Sequence, residues 1–444
     1  MRSTCGALNM WKDDRKGIII RNIIFAILFL AIVVGMFFAY RYVQQINEVQ
    51  DQELVEAYSQ QQKEQAAAKQ QELQDIEAEY QKDLDTLQQY MPGIVCWGDS
   101  ITSGSSGNVS YPSILQKYIN AYICNIYDFR SSITNASDYS RLDWSNYKVS
   151  IPVVNMGGGD ENSRTVLGRA GVSPFVVSSD FTIPMAAGEA VPISFTDPNG
   201  KDVMPLVGGD AGMNNVIING VEGVLTLDPE SYRQYSTNKY YFSRVMAGPE
   251  VAVAKDTPIV SGASGLYEDY IHVICIGTYG GYDSVTELVE QVKAMVARQT
   301  KNSDRYIVLG LCSTDKYGYI SYDLDSADTA LLQAFGNHYI NVRKYLCSDV
   351  LTDSDVNISW SSEDKSDAKK GVVPKSLRSS TSDSELNSTA YEIIGRLVYE
   401  RMDSLGYFDE IREELYITET IKQLIKDDPS YLEKMLSNTL KGLV

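Results

Sequence analysis

The sequence predicts an α/β protein: a three-layer α/β/α sandwich with an inserted β-rich subdomain, preceded by a transmembrane helix and a coiled-coil stalk. Three observations predict it. From Gly93 onward, short apolar runs alternate with helical stretches, the pattern of a parallel sheet covered on both faces. Between Gly171 and about Ser264 that alternation gives way to brief β-type runs split by Gly, Pro, Asn and Asp. Ahead of Gly93 lie an apolar run and then a segment rich in Gln, Glu, Ala and Lys. The implied divisions are residues 1–22, a tail; 23–42, a membrane anchor; 43–91, a stalk; 92–408, the sandwich with its insertion at 172–264; and 409–444, a helical tail.

Ile23 to Tyr40 is uncharged and close to the ~20 residues a helix needs to cross a bilayer. Arg15, Lys16 and Arg21 precede it, and Arg41 follows before the chain turns acidic. The positive-inside rule then puts the N-terminus in the cytoplasm and everything beyond about residue 42 outside, a single-pass cell-membrane protein with an extracellular domain. A cleaved signal peptide is the competing reading, but the run is long for one and lacks a small-x-small cleavage site. In the stalk, Leu73, Ile76, Tyr80, Leu84 and Leu87 recur at helical spacing, as on a coiled-coil seam, and Ile46, Leu54 and Ala57 extend it weakly. A homodimer through the stalk and a partly frayed helical linker both fit that pattern. Met91-Pro92-Gly93 ends the segment.

Ile94–Trp97, Val149–Asn155, Ile271–Gly277 and Tyr306–Leu311 read as successive strands of the parallel sheet. Helices are predicted at Tyr111–Asn125, Val285–Arg298, Ala327–Leu346 and Ser388–Leu405. In the insertion, Phe175–Val177, Val191–Phe195, Val216–Ile218, Val221–Leu227, Tyr240–Val245 and Val251–Val253 are strand candidates. Leu415, Ile417, Ile421, Leu424 and Ile425 suggest a terminal amphipathic helix.

A net charge of −19 argues against nucleic acid as a partner, because neutralising phosphates requires clustered Lys and Arg. The 30 tyrosines against 11 phenylalanines suit wet binding surfaces as well as cores. The six cysteines show no C-x-x-C spacing, so neither a zinc site nor a disulfide framework is expected, and no cofactor signature stands out.

The most chemically informative stretch is Ile94-Val95-Cys96-Trp97-Gly98-Asp99-Ser100-Ile101-Thr102-Ser103-Gly104. A buried strand ends in a sharp turn that places a serine hydroxyl just past its C-terminal end, where ligands collect in open α/β sheets. Strand, GDS turn and Gly104 resemble the first block of the SGNH/GDSL hydrolases, whose flavodoxin-like fold carries that serine as an acyl-accepting nucleophile. The resemblance covers roughly residues 92–408. It is closest to cell-surface members of low-GC Gram-positive bacteria with a β-rich insertion, through Gly171–Val177, Phe335–Arg343 and Leu405–Asp409.

The remaining blocks depart from the pattern. Asn155–Ser163 is similar to the second block, and the resemblance puts Asp160 where a glycine N–H would join the oxyanion hole; a slip of one residue would put Gly159 there instead. Ile276–Asp283 is similar to the third block, with Tyr279 in place of an oxyanion-donating asparagine, where its ring would either donate a hydrogen bond or plug the pocket. Ser382–Tyr391 is similar to the fourth, with Ser382 for the aspartate and Glu385 for the histidine base. A carboxylate is a weaker base than imidazole toward a serine. The two histidines, His272 and His338, lie early in a strand and in a helical region, not at the base position.

Ser100 as nucleophile position, Glu385 as base position, and Asp160 and Tyr279 as oxyanion positions are thus the candidate site. Loss of a base or an oxyanion donor typically costs ~10²–10⁴ in rate. The expectation is an anchored extracellular protein with lost or weakened esterase activity that binds a cell-envelope glycan or acylated saccharide. The alternative is an active O-acyl esterase on surface carbohydrate or lipid, with Ser100 as nucleophile and Glu385 as an acid-range base.

Overall fold

The computed structural model describes residues 7–104, 109–134, 151–233, 238–301, 303–312, 324–353, 356–380 and 385–416. The chain divides into two units, residues 1–79 and 80–444. Helix α1 (Ala7–Tyr90) is unbroken. It contains a stretch long and apolar enough to cross a membrane, none of it buried. Pro92 explains where the helix stops: a proline drives the preceding residue out of helical geometry and offers no N–H.

The last turns of α1 belong to the second unit. Leu87 and Met91 are buried, and Leu84 and Tyr90 pack against the same core. Arg305 Nη1 donates to the Tyr90 carbonyl at 3.2 Å. The seam positions Leu84 and Leu87 therefore face the globular unit and are not free to pack on a second stalk helix.

After α1 the chain forms β1 (Ile94–Gly98), α2 (Ser100–Ser103), α3 (Tyr111–Thr134), β2 (Val153–Gly157) and α4 (Ser163–Arg169). Nine strands follow: β3 (Phe175–Val177), β4 (Phe181–Ile183), β5 (Ala190–Ile193), β6 (Phe195–Thr196), β7 (Val216–Ile218), β8 (Val221–Leu227), then, after α5 (Pro229–Arg233), β9 (Tyr240–Arg244), β10 (Val251–Val253) and β11 (Pro258–Val260). The chain then returns through β12 (Ile271–Cys275), α6 (Val285–Ala297), β13 (Tyr306–Leu309), α7 (Leu324–Phe335), β14 (Tyr339–Ile340), α8 (Val342–Cys347), α9 (Ser362–Lys369), α10 (Ser388–Ser404) and α11 (Asp409–Tyr416).

Strands β14-β13-β12-β1-β2 make one parallel sheet. Its β1 and β12 residues are buried throughout, as expected where both faces are covered. Along β1 the side chains alternate between two cores. Ile94 and Cys96 join residues of α3, α10 and α11. Val95 and Trp97 join residues of α4, α6 and α7. The nine middle strands form a seven-stranded antiparallel sheet, β5-β9-β8-β7-β11-β3-β6, and the pair β10-β4, around a third core that includes Phe175, Ile218, Leu225 and Phe242.

One sequence expectation is corrected. The helix predicted over Ala327–Leu346 ends at Phe335, and Gly336, at φ 54°, opens a 3-10 turn into β14. His338 lies in that turn, not on a helix. The predicted terminal helix beyond Tyr416 and the residues before Val153 in the second predicted strand (149 and 150) lie outside the described residues.

Candidate functional site

The strand order fixes where a site belongs. From β1 the chain moves to β2 on one side, and from β2 it returns past β1 to β12 on the other. Connections diverge at the carboxyl end of β1, the crevice where open α/β sheets take their ligands. Ser100 sits there, first residue of α2.

Gly98 is required by crowding: a Cβ would lie 2.0 Å from Thr102 Oγ1 and 2.4 Å from the Cys275 carbonyl. Asp99 caps α2, its Oδ1 accepting the Ile101 N–H at 3.0 Å. The carboxyl is buried and Oδ2 has no hydrogen-bond partner. Burial pushes its pKa up to about 7, against the pull of the Ile101 and Thr278 amides.

Ser100 Oγ accepts the Asp160 N–H at 2.7 Å. Asp160 stands at φ 58°, the left-handed conformation that glycine adopts freely and aspartate tolerates. The residue whose amide faces Ser100 is therefore Asp160. Its side chain is exposed. The Tyr279 side chain is hydrogen-bonded to the same Ser100, and burial raises the Tyr279 phenol above its ordinary range. Tyr279 lies in the loop between β12 and α6, which is fastened to the start of α4: Ser163 N–H donates to the Gly280 carbonyl at 3.0 Å, and Ser163 Oγ to that of Gly281 at 2.8 Å.

Glu385 is half-buried ahead of α10, its carbonyl accepting the Ser379 N–H at 2.9 Å. Asn387 caps α10 by accepting the Ala390 N–H. Tyr391, in the first turn of α10, is buried, and burial raises its phenol above the ordinary range. Ser382 lies outside the described residues.

Both histidines are engaged elsewhere. His272 is fully buried in β12, opposite Val95 and three residues below the level of Gly98, with Nε2 at 3.0 Å from the Tyr267 carbonyl. Burial lowers its pKa to about 4. His338 stacks on Tyr306 at 4.3 Å, its Nδ1 2.8 Å from the Tyr407 hydroxyl. The thiols of Cys96, Cys275 and Cys312 are free and buried, and burial raises all three above their ordinary pKa. Among the described residues no cluster of His, Cys, Asp and Glu could hold a metal ion.

Sequence reasoning gave no role to Arg169, whose side chain is fully buried in this region. Its guanidinium is fully buried and pairs with Glu161 at 2.8 Å. It also donates to the carbonyls of Met156 at 3.0 Å and Ala211 at 2.7 Å. Glu161 precedes α4 and Arg169 is its last residue, and nothing in their spacing signals that both turn inward.

This arrangement gives a serine hydroxyl held by a backbone amide and a phenol, with no imidazole at its side. Such a hydroxyl can bind and be bound. To attack an acyl carbon it would need a carboxylate to take its proton. No protein-family profile, curated protein or solved structure matches the chain.

Proposed function

We propose that the chain is a single-pass membrane protein whose globular unit is a degenerate SGNH/GDSL hydrolase. On this reading it binds a cell-envelope glycan or acylated saccharide near Ser100 with little or no ester hydrolysis. The two cores on opposite faces of the parallel sheet support a three-layer α/β/α arrangement of flavodoxin-like type. The apolar part of α1 supports an uncleaved anchor, with basic residues 15, 16 and 21 on the cytoplasmic side and the globular unit outside. A stalk homodimer would use the seam upstream of Leu84.

The observation that carries the reading is the occupancy of Ser100. Its oxygen already accepts the Asp160 amide and shares a hydrogen bond with the Tyr279 side chain. The alternative, an O-acyl esterase, draws on the same amide, because a backbone N–H beside the serine can also serve as an oxyanion donor.

Hydrolysis of p-nitrophenyl acetate by the detergent-solubilised full chain separates the two, run from pH 4 to 9 beside Ser100→Ala. We expect indistinguishable rates for the two proteins, with retention of both on immobilised O-acetylated polysaccharide. Turnover that climbs toward acid pH and disappears in Ser100→Ala would replace this reading with the esterase and make Glu385 its base.

A further inference from the structure

Besides Ser261, whose Oγ donates to the Arg169 carbonyl, one segment of the insertion reaches the loops around Ser100. Between β6 and β7, residues 197–215 leave the antiparallel sheet and lie along the turn that follows β2. Gly208 bridges Gly159 in antiparallel fashion. The approach is closer than any side chain permits: a Cβ on Gly208 would sit 2.2 Å from Gly159 Cα. Met204 N–H donates to Thr165 Oγ1 at 2.9 Å, and Arg169 joins the Ala211 carbonyl to the Glu161 carboxylate and the Met156 carbonyl.

The backbone of the segment is held in unusual shape. Leu206 and Ala211 take φ of 70° and 46°, conformations that non-glycine residues occupy only when their surroundings impose them. The same segment reaches the second loop at Ser100. Lys201 Nζ pairs with Asp283 at 2.7 Å, at the end of the loop that carries Tyr279. Arg164 pairs with Asp197 at 3.5 Å and Asp283 at 3.2 Å.

Both hydrogen-bond partners of Ser100 thus ride on loops fastened to one stretch of the insertion. We propose that residues 197–215 are a positioning element of the Ser100 site: Gly208, by its contact with Gly159, and Arg169, by its grip on Glu161 and Ala211, hold the Asp160 amide on Ser100 Oγ. The insertion then belongs to the site instead of merely bracing the sheet. This rests on Ser100 being the centre of the site, as proposed above, but not on whether that site hydrolyses or binds.

Amide hydrogen exchange of the detergent-solubilised full chain, resolved to Asp160, tests it without requiring ligand or turnover. Gly208→Ala drives a methyl against Gly159 and should raise exchange at Asp160 at least about tenfold, a loss of ~1.4 kcal/mol of protection, with β1 and β12 unchanged. Ser100→Ala, which removes the acceptor, should raise it as well. In the double variant the two effects should not add, because the second change removes a bond that the first has already broken. Asp202→Ala, an exposed change in the same segment, should leave Asp160 as in the wild type. Unchanged Asp160 exchange in Gly208→Ala would overturn the proposal. So would fully additive effects, or a rise spread evenly over β1 and β12, since the segment would then contribute only to general stability.

Discussion

At the residue scale, two buried groups give this protein opposing pH responses. The folded Asp99 carboxyl titrates at about 7 against 3.8 unfolded, so between those values the native state holds a proton that the unfolded chain has released. Asp99 therefore makes stability fall as pH rises from about 4 to 7, and above 7 its buried charge is carried in full. His272 runs the other way: folded at about 4 and unfolded at 6.5, it costs nothing above 6.5 and weakens the fold as pH drops through that interval. The loss is about 3 kcal/mol by pH 4. Urea unfolding followed by tryptophan fluorescence, from pH 4 to 8, should show stability rising more steeply with pH in Asp99→Asn and less steeply in His272→Gln. Identical pH slopes for wild type and Asp99→Asn would mean the carboxyl is hydrated in the native state. The sequence made the GDS turn legible because its apolar strand and glycine are local signals. Asp99's burial was not legible, since it depends on Cys275 and Thr278 arriving from β12 and the loop after it, far along the chain. Nor was the backbone of Asp160 legible: it stands at φ 58° with its side chain exposed, and no local signal announces that conformation.

At the element scale, the end of α1 shows how a seam pattern can be read two ways. Leu84 and Leu87 repeat at helical spacing whether they meet a second helix or their own domain, because periodicity reports which face is apolar and not what covers it. Here the cover is the core that contains Tyr122, Phe408 and Ile411. Leu87→Ala should consequently destabilise the globular unit by about 2–5 kcal/mol, as for other buried leucines, whereas Leu54→Ala, on the exposed part of the same helix, should leave its unfolding midpoint in place. A Leu87→Ala protein with an unchanged midpoint would return that residue to the stalk. Truncation at Gly93 carries the same expectation in stronger form, since it also removes Met91 and the Tyr90 carbonyl that Arg305 holds. The short β14 escaped the sequence reading for a related reason. Two strand residues between two helices leave no period to detect, and only Gly336 marked the break.

At the scale of the whole globular unit, core sharing determines what unfolds together. The two cores flanking the parallel sheet alternate along the same strands, so neither can open without exposing the other. The insertion has a core of its own, to which β1 and β12 contribute nothing, and its described polar links to the rest run largely through residues 197–215 and Arg169. A unit with a core of its own can open sub-globally, although Phe175 packs on Gly168 of α4 and Ala263 joins the second core of the sheet. Phe242 is fully buried in that core, and Phe242→Ala should remove about 3–5 kcal/mol from it. Under mild denaturant, brief proteolysis of this variant should cut between residues 175 and 260 while the parallel sheet stays intact, and exchange at Asp160 should rise with the cutting. Cleavage appearing at the same denaturant concentration in both regions would show that the insertion and sheet unfold as one. Opening of the insertion without any change at Asp160 would show that the 197–215 segment keeps its place on Gly159 even when the strands behind it are lost.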